Sequence, residues 1–305
     1  MEEWRLFLER GRKDVRLSQT LFQENHDYEM SAYVAQQALE KFVKAYLLKS
    51  KIVEKPRDLG HYQMPRILST ISTQFNIIKR NTDKSNPFHL VLEQMSNIID
   101  HLRKLFESIR DDDEKLVHWW KKSLKITQDV KDEDYERFVD LMSRTGSRLG
   151  KSFEAYFVNR LNPNMDKFAQ ISKELPKQIQ FISENMEEAA NQLKNKTILS
   201  RNEIKSKSND EIAVLLKIIN LQKQGKIKGN LSLNELEKSL VMFDILTNYV
   251  DLLMETYPHE IIGRYPRTDA VSTTETYEKH KDELWNLIMN VKNSCDEIEL
   301  KIKNN

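Results

Sequence analysis

The sequence predicts an all-α fold, and three observations of the whole chain support this prediction. The 305 residues include only 7 glycines and 7 prolines, too few turn-forming residues for a strand-and-turn architecture of this length. Apolar residues make up 39% and charged residues 31% of the chain, which is typical of a buried core beneath a solvated surface. Along most of the chain, apolar residues recur at intervals of three and four, the spacing of one helix face.

The clearest helix is predicted over residues 30–48, MSAYVAQQALEKFVKAYLL. Ala38 and Phe42 lie four residues apart on its apolar side, and several small residues there allow a neighbouring helix to approach closely. We expect Glu40 and Lys44 to lie away from this side, on the charged face. The helix should therefore form the centre of a core that its neighbours complete.

Further helices are predicted on both sides of this central helix. A first helix covers residues 2–25, and the polar residues that follow it form a hairpin connection. Another helix starts near His61. Towards the end of the chain, one apolar stripe runs from Leu236 to Tyr257, and a last helix begins at the capping box Ser272-Thr273-Thr274-Glu275.

The middle of the chain, residues 81–230, also has helical periodicity and is predicted to contain a long hairpin arm. The four acidic residues 111–114 interrupt one of its helices. Adjacent residues of a helix point about 100° apart, so these carboxylates predict a solvated face instead of a metal site. Residues 194–228 hold nine basic and three acidic side chains, a density that predicts a solvated linker or, alternatively, a contact with nucleic acid.

Several residues of the central helix resemble the second helix of HEPN domains, small four-helix modules associated with nucleotides and RNA. They are Tyr33, Ala35, Gln36, Gln37, Ala38, Glu40, Lys41, Lys44 and Ala45. Residues 58–61, Asp-Leu-Gly-His, are similar to a variant of the His-Asp-Leu element that follows this helix in the family. Residues 264–266, Arg-Tyr-Pro, resemble the junction between the third and fourth helices of the family.

The resemblance implies an antiparallel four-helix bundle built from two hairpins at the ends of the chain. Residues 1–80 form its N-terminal half, residues 231–305 form its C-terminal half, and residues 81–230 are a helical insertion between them. The first half holds 14 basic and 10 acidic residues, and the second holds 8 and 14. Their formal charges of +4 and −6 favour association of the two halves.

The nuclease motif of the family is not found in this sequence. Nuclease-type HEPN domains carry an Arg followed by a His after four to six residues, because metal-independent RNA cleavage needs a cation for the phosphorane charge and an imidazole for proton transfer. None of the seven histidines follows an arginine at that spacing. A reversed arrangement, in which His259 precedes Arg264 and Arg267, remains the alternative catalytic set for a metal-independent endoribonuclease.

The preferred prediction is a HEPN-like protein that binds a nucleotide or RNA, or a partner that does so, without cleaving RNA. The ligand-binding residues are predicted to be Arg264, Tyr265, Arg267 and His61, with the first three on a rigid loop over residues 258–269. Two arginines near the start of the last helix suit a phosphate, and a tyrosine suits a stacked base. Alternatively, Arg264 pairs with a carboxylate such as Glu260 or Asp58, and Tyr265 closes the end of the core. A third possibility is a structural helical scaffold without a ligand.

Other classes of protein are disfavoured by the sequence. There is no P-loop, dinucleotide fingerprint, zinc-protease motif or serine nucleophile elbow, so we expect neither a metal nor a cofactor. Cys295 is the only cysteine, which excludes an internal disulfide. No stretch has membrane-spanning character, and we expect a cytoplasmic protein. The resemblance further implies a homodimer, a nucleotidyltransferase-type partner and a role in defence, stress or toxin–antitoxin systems.

Overall fold

The computed structural model describes residues 2–55, 64–82, 87–127, 233–264 and 273–304. All regular secondary structure in these residues is α-helical, which confirms the predicted all-α class. Labelled in chain order within these ranges, the helices are α1 (Glu3–Gln23), α2 (Tyr28–Lys49), α3 (Met64–Asn81), α4 (Pro87–Asp111), α5 (Asp113–Ser123), α6 (Leu233–Asn248), α7 (Val250–Arg264), α8 (Thr273–Lys279) and α9 (Lys281–Asn304).

Helix α2 lies at the centre of a compact unit formed by residues 1–70, 103–131 and 248–305. It contacts α1, α7, α8 and α9, and fifteen of its 22 residues are buried. Asp27 caps its start, since the carboxylate accepts a hydrogen bond from the backbone N–H of Met30 at 3.1 Å. The prediction that this stretch is the central helix of a shared core is confirmed.

Helix α1 contacts both α2 and α9 in this unit. Gly11 of α1 lies so close to the ring of Phe42 in α2 that an added Cβ would be 2.7 Å from it, so glycine permits the close approach. Next to Gly11 along α1, the guanidinium of Arg12 donates two hydrogen bonds, of 2.8 and 2.7 Å, to the carboxylate of Glu299 in α9. The two ends of the chain therefore pack together.

Two residues of α2 do not lie where the sequence predicted. Glu40 and Lys44 were expected on a charged outer face, but each is only 5% exposed. The expectation was wrong because α2 has neighbouring helices on several sides, and no broad face of it remains for water. Their charges are instead neutralised by each other in a buried ion pair.

The helix boundaries near the C-terminus also differ from the prediction. The stripe that was predicted to end at Tyr257 breaks at Tyr249, and α7 continues through Pro258 to Arg264. The last helix is divided at His280 into α8 and α9. A helix-interior proline removes one backbone hydrogen bond, but residues 256–262 are all buried, and this packing maintains the helix across Pro258.

A second compact unit comprises residues 71–102 and 132–247. In its described part, α3 and α4 face each other through small polar side chains: the hydroxyl of Ser72 donates to the carboxylate of Asp100 at 3.1 Å, and the amide of Asn76 donates to the hydroxyl of Ser96 at 3.0 Å. The predicted long hairpin arm and the basic segment 194–228 lie outside the described residues. The division of the chain at residues 80 and 230 stays a prediction.

Candidate functional site

Several buried polar side chains of the first unit lie on one turn of α7. Tyr257 and His259 are each 1% exposed, and Glu260 is 3% exposed. Consecutive helical residues point about 100° apart, so these side chains address different neighbours. His259 reaches α5 and α8, whereas Glu260 reaches α2.

His259 is the middle member of a hydrogen-bond chain, which we call the neutral chain, made of Tyr277, His259 and Ser123. The hydroxyl of Ser123 donates to the carbonyl oxygen of Trp120 at 2.7 Å. Its oxygen is therefore the acceptor for Nε2–H of His259, at 2.9 Å. Nδ1 of the same ring then accepts from the hydroxyl of Tyr277, at 2.7 Å. Both ring nitrogens of a neutral His259 therefore have a hydrogen-bond partner: Nε2–H donates to Ser123, and Nδ1 accepts from Tyr277.

The surroundings of His259 favour this neutral form strongly. Burial lowers the pKa of His259 from its usual value near 6.5 to about 3, because the charged imidazolium loses its hydration. Burial also raises the pKa of the Tyr277 phenol. The ring of Trp120 packs edge-on against Tyr277 with ring centroids 5.4 Å apart, which further closes this region. His259 is thus a neutral, enclosed side chain in this structure.

Glu260 belongs to a second group, the ionic cluster of Gln36, Glu40, Lys44 and Glu260. The side-chain amide of Gln36 donates to the carboxylate of Glu260 at 3.0 Å and, less closely, to that of Glu40 at 3.4 Å. The ammonium of Lys44 forms an ion pair with Glu40, and both side chains are 6% exposed. The cluster therefore contains two carboxyl groups and one ammonium group in the core.

Tyr257 lies within the electrostatic influence of this cluster. Burial raises the pKa of its phenol, and the carboxylate of Glu260 raises it further, while Arg110 acts in the opposite direction. Its hydroxyl has no hydrogen-bond partner among the described residues. The ring itself packs edge-on against Phe106 of α4, with centroids 4.9 Å apart. Tyr257 is held by its ring and not by its hydroxyl.

The predicted rigid loop over residues 258–269 is wrong in its first half, because residues up to Arg264 belong to α7. Gly263, which lies within the predicted loop, does not form a bend there. It instead lets α7 approach α2, since a Cβ at this position would lie 3.0 Å from Cβ of Tyr33. The physical reason is that Ile261 and Ile262 are buried, and a helix buries such consecutive residues without unpaired backbone groups.

The predicted ligand-binding residues remain predictions. Arg264 is the last residue of α7, and Tyr265, Arg267 and His61 lie outside the described residues. The described residue that resumes the chain, Thr273, begins α8, and its hydroxyl donates to the carboxylate of Glu29 in α2 at 3.4 Å. Burial raises the pKa of Glu29.

Sequence reasoning did not find the neutral chain or the ionic cluster. Ser123 and Tyr277 are separated from His259 by 136 and 18 residues, so no local motif connects them. The ionic cluster had one visible signal: Gln36, Glu40 and Lys44 follow each other at intervals of four and share a helix side.

Comparison with known proteins identifies the class of domain. Residues 4–144 match the family model of the HEPN domain. The recognition of a HEPN domain is therefore confirmed for the N-terminal part of the chain, which includes α1 to α5, and a function related to nucleotides or RNA follows at that level. No curated protein and no solved structure matches the chain.

No described helix is long and apolar enough to cross a membrane. Nor do the histidine, cysteine, aspartate and glutamate residues within the described ranges form any group of three or more that could hold a metal ion.

Proposed function

We propose that this protein binds a nucleotide or RNA through Arg264, Tyr265, Arg267 and His61, and that it does not cleave RNA. The HEPN match over residues 4–144 supports the ligand class. The observation that carries the second part is the state of His259: it is 1% exposed, and both of its ring nitrogens have protein partners. A general acid or base must reach the proton that it transfers, and an enclosed, neutral imidazole is poorly suited to that role.

The arginines are proposed to bind phosphate. A guanidinium presents several N–H donors in a plane, which matches the oxygens of a phosphate group. The proposal also includes a homodimer, a nucleotidyltransferase-type partner and a role in defence or stress, all of which the family resemblance implies, together with the cytoplasmic location expected from the sequence. Sedimentation of the purified protein at several concentrations measures the first of these.

Binding at low and moderate salt is the direct test of the ligand class. Arg264→Ala should weaken binding of RNA or nucleotide by at least about 1 kcal/mol, the scale of a charge-assisted hydrogen bond, without a change in the melting temperature. Arg66→Ala, at an exposed arginine of α3, is the matched control and should bind as the wild type does. A lower melting temperature with unchanged affinity would mean that Arg264 is structural and that the proposed site is wrong.

Activity is tested separately by incubating the protein with mixed RNA in EDTA. We expect no cleavage. The proposal would be overturned if the wild type cleaved RNA in EDTA and both Arg264→Ala and a folded His259→Asn variant did not. That result would establish instead the alternative endoribonuclease with His259, Arg264 and Arg267. Circular dichroism of the variant checks that its fold is intact.

A further inference from the structure

Three cations form an exposed stripe on the outer side of α1. Arg10, Lys13 and Arg16 are all exposed and follow one another at intervals of three residues, which is a rise of about 4.5 Å per step along the helix. The opposite side of α1 carries the buried residues Gly11 and Ser18 and packs in the bundle. The stripe is therefore directed away from the core.

Two acidic residues near this stripe, Asp14 and Glu299, already form ion pairs with other cations, whereas Glu9 is exposed. Asp14 is the only acidic residue between positions 10 and 23, and it forms an ion pair with Lys41 of α2. Glu299, which α9 brings to the side of α1, is held by Arg12 and Lys303. None of the three stripe cations forms an ion pair with a described residue.

Uncompensated cations are the feature that a polyanion recognises. A protein gains affinity for nucleic acid by placing Lys and Arg against phosphates and releasing the counterions that were condensed there. Leu17, 47% exposed, lies beside the stripe, and Phe7, three residues before Arg10 on the same line, is only partly exposed, so the surface offers little area on which a base could stack. The pattern favours contacts with phosphates over recognition of bases.

We propose that Arg10, Lys13 and Arg16 contact the phosphate backbone of RNA without regard to its sequence. This inference rests on the proposed function and adds to it a second contact surface, on α1. Glu9, one residue before the stripe, has an exposed carboxylate that repels phosphate. Its replacement by glutamine should therefore strengthen the binding of RNA.

The test compares two variants with the same change in net charge. The first replaces the stripe by Arg10→Gln, Lys13→Gln and Arg16→Gln. The control replaces three exposed lysines on other helices, Lys104→Gln, Lys279→Gln and Lys281→Gln. The probe is a single-stranded RNA of mixed sequence, titrated by fluorescence anisotropy from about 50 to 200 mM salt.

The stripe variant should lose affinity by about tenfold or more at the lowest salt, and the slope of log K against log salt should become about 2 units shallower, as three lost phosphate contacts require. The control should keep the wild-type slope, and Glu9→Gln should bind more tightly than the wild type. Both triple variants should melt as the wild type does, because their side chains are exposed.

The results that would contradict this inference can be distinguished from those that would contradict the proposed function. If the wild type binds no RNA, the proposed function fails together with this inference. If the wild type binds and the stripe variant binds equally well, or both triple variants lose the same affinity, this inference is wrong while the proposed function stands. If polyglutamate of equal charge binds the stripe as tightly as RNA, the partner is an acidic polypeptide, and the assignment to RNA is overturned.

Discussion

His259 and Glu260 are neighbours on α7, yet they belong to two parts of the core that are stabilised in different ways. The neutral chain around His259 joins three elements through uncharged groups, and each donor meets one acceptor. The ionic cluster around Glu260 places charged groups in the same low-dielectric interior and depends on Lys44 as its cation. Loss of a neutral partner leaves one unsatisfied polar atom, whereas loss of the cation leaves an uncompensated buried charge, which costs more.

The largest effect should follow removal of the cation from the ionic cluster. Lys44→Met leaves the carboxylate of Glu40 buried without its ion-pair partner, and we expect a loss of about 3–5 kcal/mol in the free energy of unfolding. Lys41→Met is the matched control on the same helix, because the Lys41 and Asp14 side chains are 25% and 21% exposed. It should cost less than about 1 kcal/mol. Denaturant titration measures both.

A second substitution tests whether the buried charge of Glu40 causes this loss of stability. Adding Glu40→Gln to Lys44→Met should restore part of the lost stability, because the buried charge is removed with its partner. Equal losses for Lys44→Met and Lys41→Met would contradict the distinction between a buried and a partly exposed ion pair.

An intermediate effect is expected from the pH dependence of the neutral chain. The pKa of His259 is about 3 in the folded protein and about 6.5 in the unfolded chain, so between these values only the unfolded chain binds the proton. Stability from this residue is complete above about pH 6.5 and falls as the pH decreases. At about pH 5 the free energy of unfolding should be lower by about 2 kcal/mol than at about pH 7.

The contribution of His259 is separated from that of other groups by His259→Asn, which should show a shallower decrease of stability between about pH 7 and 5. The imidazole resonances in nuclear magnetic resonance spectra provide an independent measurement. They should show an Nε2–H tautomer that does not titrate over this range. A ring that titrates near its ordinary pKa, about 6.5, would show that the neutral chain is not closed.

The smallest effects should distinguish two buried tyrosines. Tyr277→Phe removes the donor to Nδ1 of His259 and should cost about 1 kcal/mol, the scale of one neutral hydrogen bond, because the nitrogen is left without its partner. Tyr257→Phe removes a hydroxyl that has no partner among the described residues, and it should be neutral or slightly stabilising. Thermal unfolding of the pair of variants compares them under one set of conditions. If Tyr257→Phe lowered the stability more than Tyr277→Phe, the hydrogen bonding assigned to these two hydroxyls would be wrong.

Local pattern was sufficient for the helices and for the central position of α2. The spacing of Ala38 and Phe42 and the small residues of the same helix are properties of one short segment, and the backbone hydrogen bonds of a helix also join residues only four apart. The same segment contained the HEPN resemblance, which the family match over residues 4–144 confirms for the N-terminal part of the chain.

The sequence by itself therefore determined the all-α class, the hairpin of α1 and α2, and the domain family. Only the tertiary structure decided the burial of Glu40 and Lys44, the helical state of Pro258 and the partners of His259. Each of these depends on groups that are distant in sequence: α7 and α9 enclose α2, and Ser123 and Tyr277 complete the hydrogen bonds of His259. The periodicity of apolar residues shows which side of a helix is apolar, but it does not show how many other helices will pack against that helix.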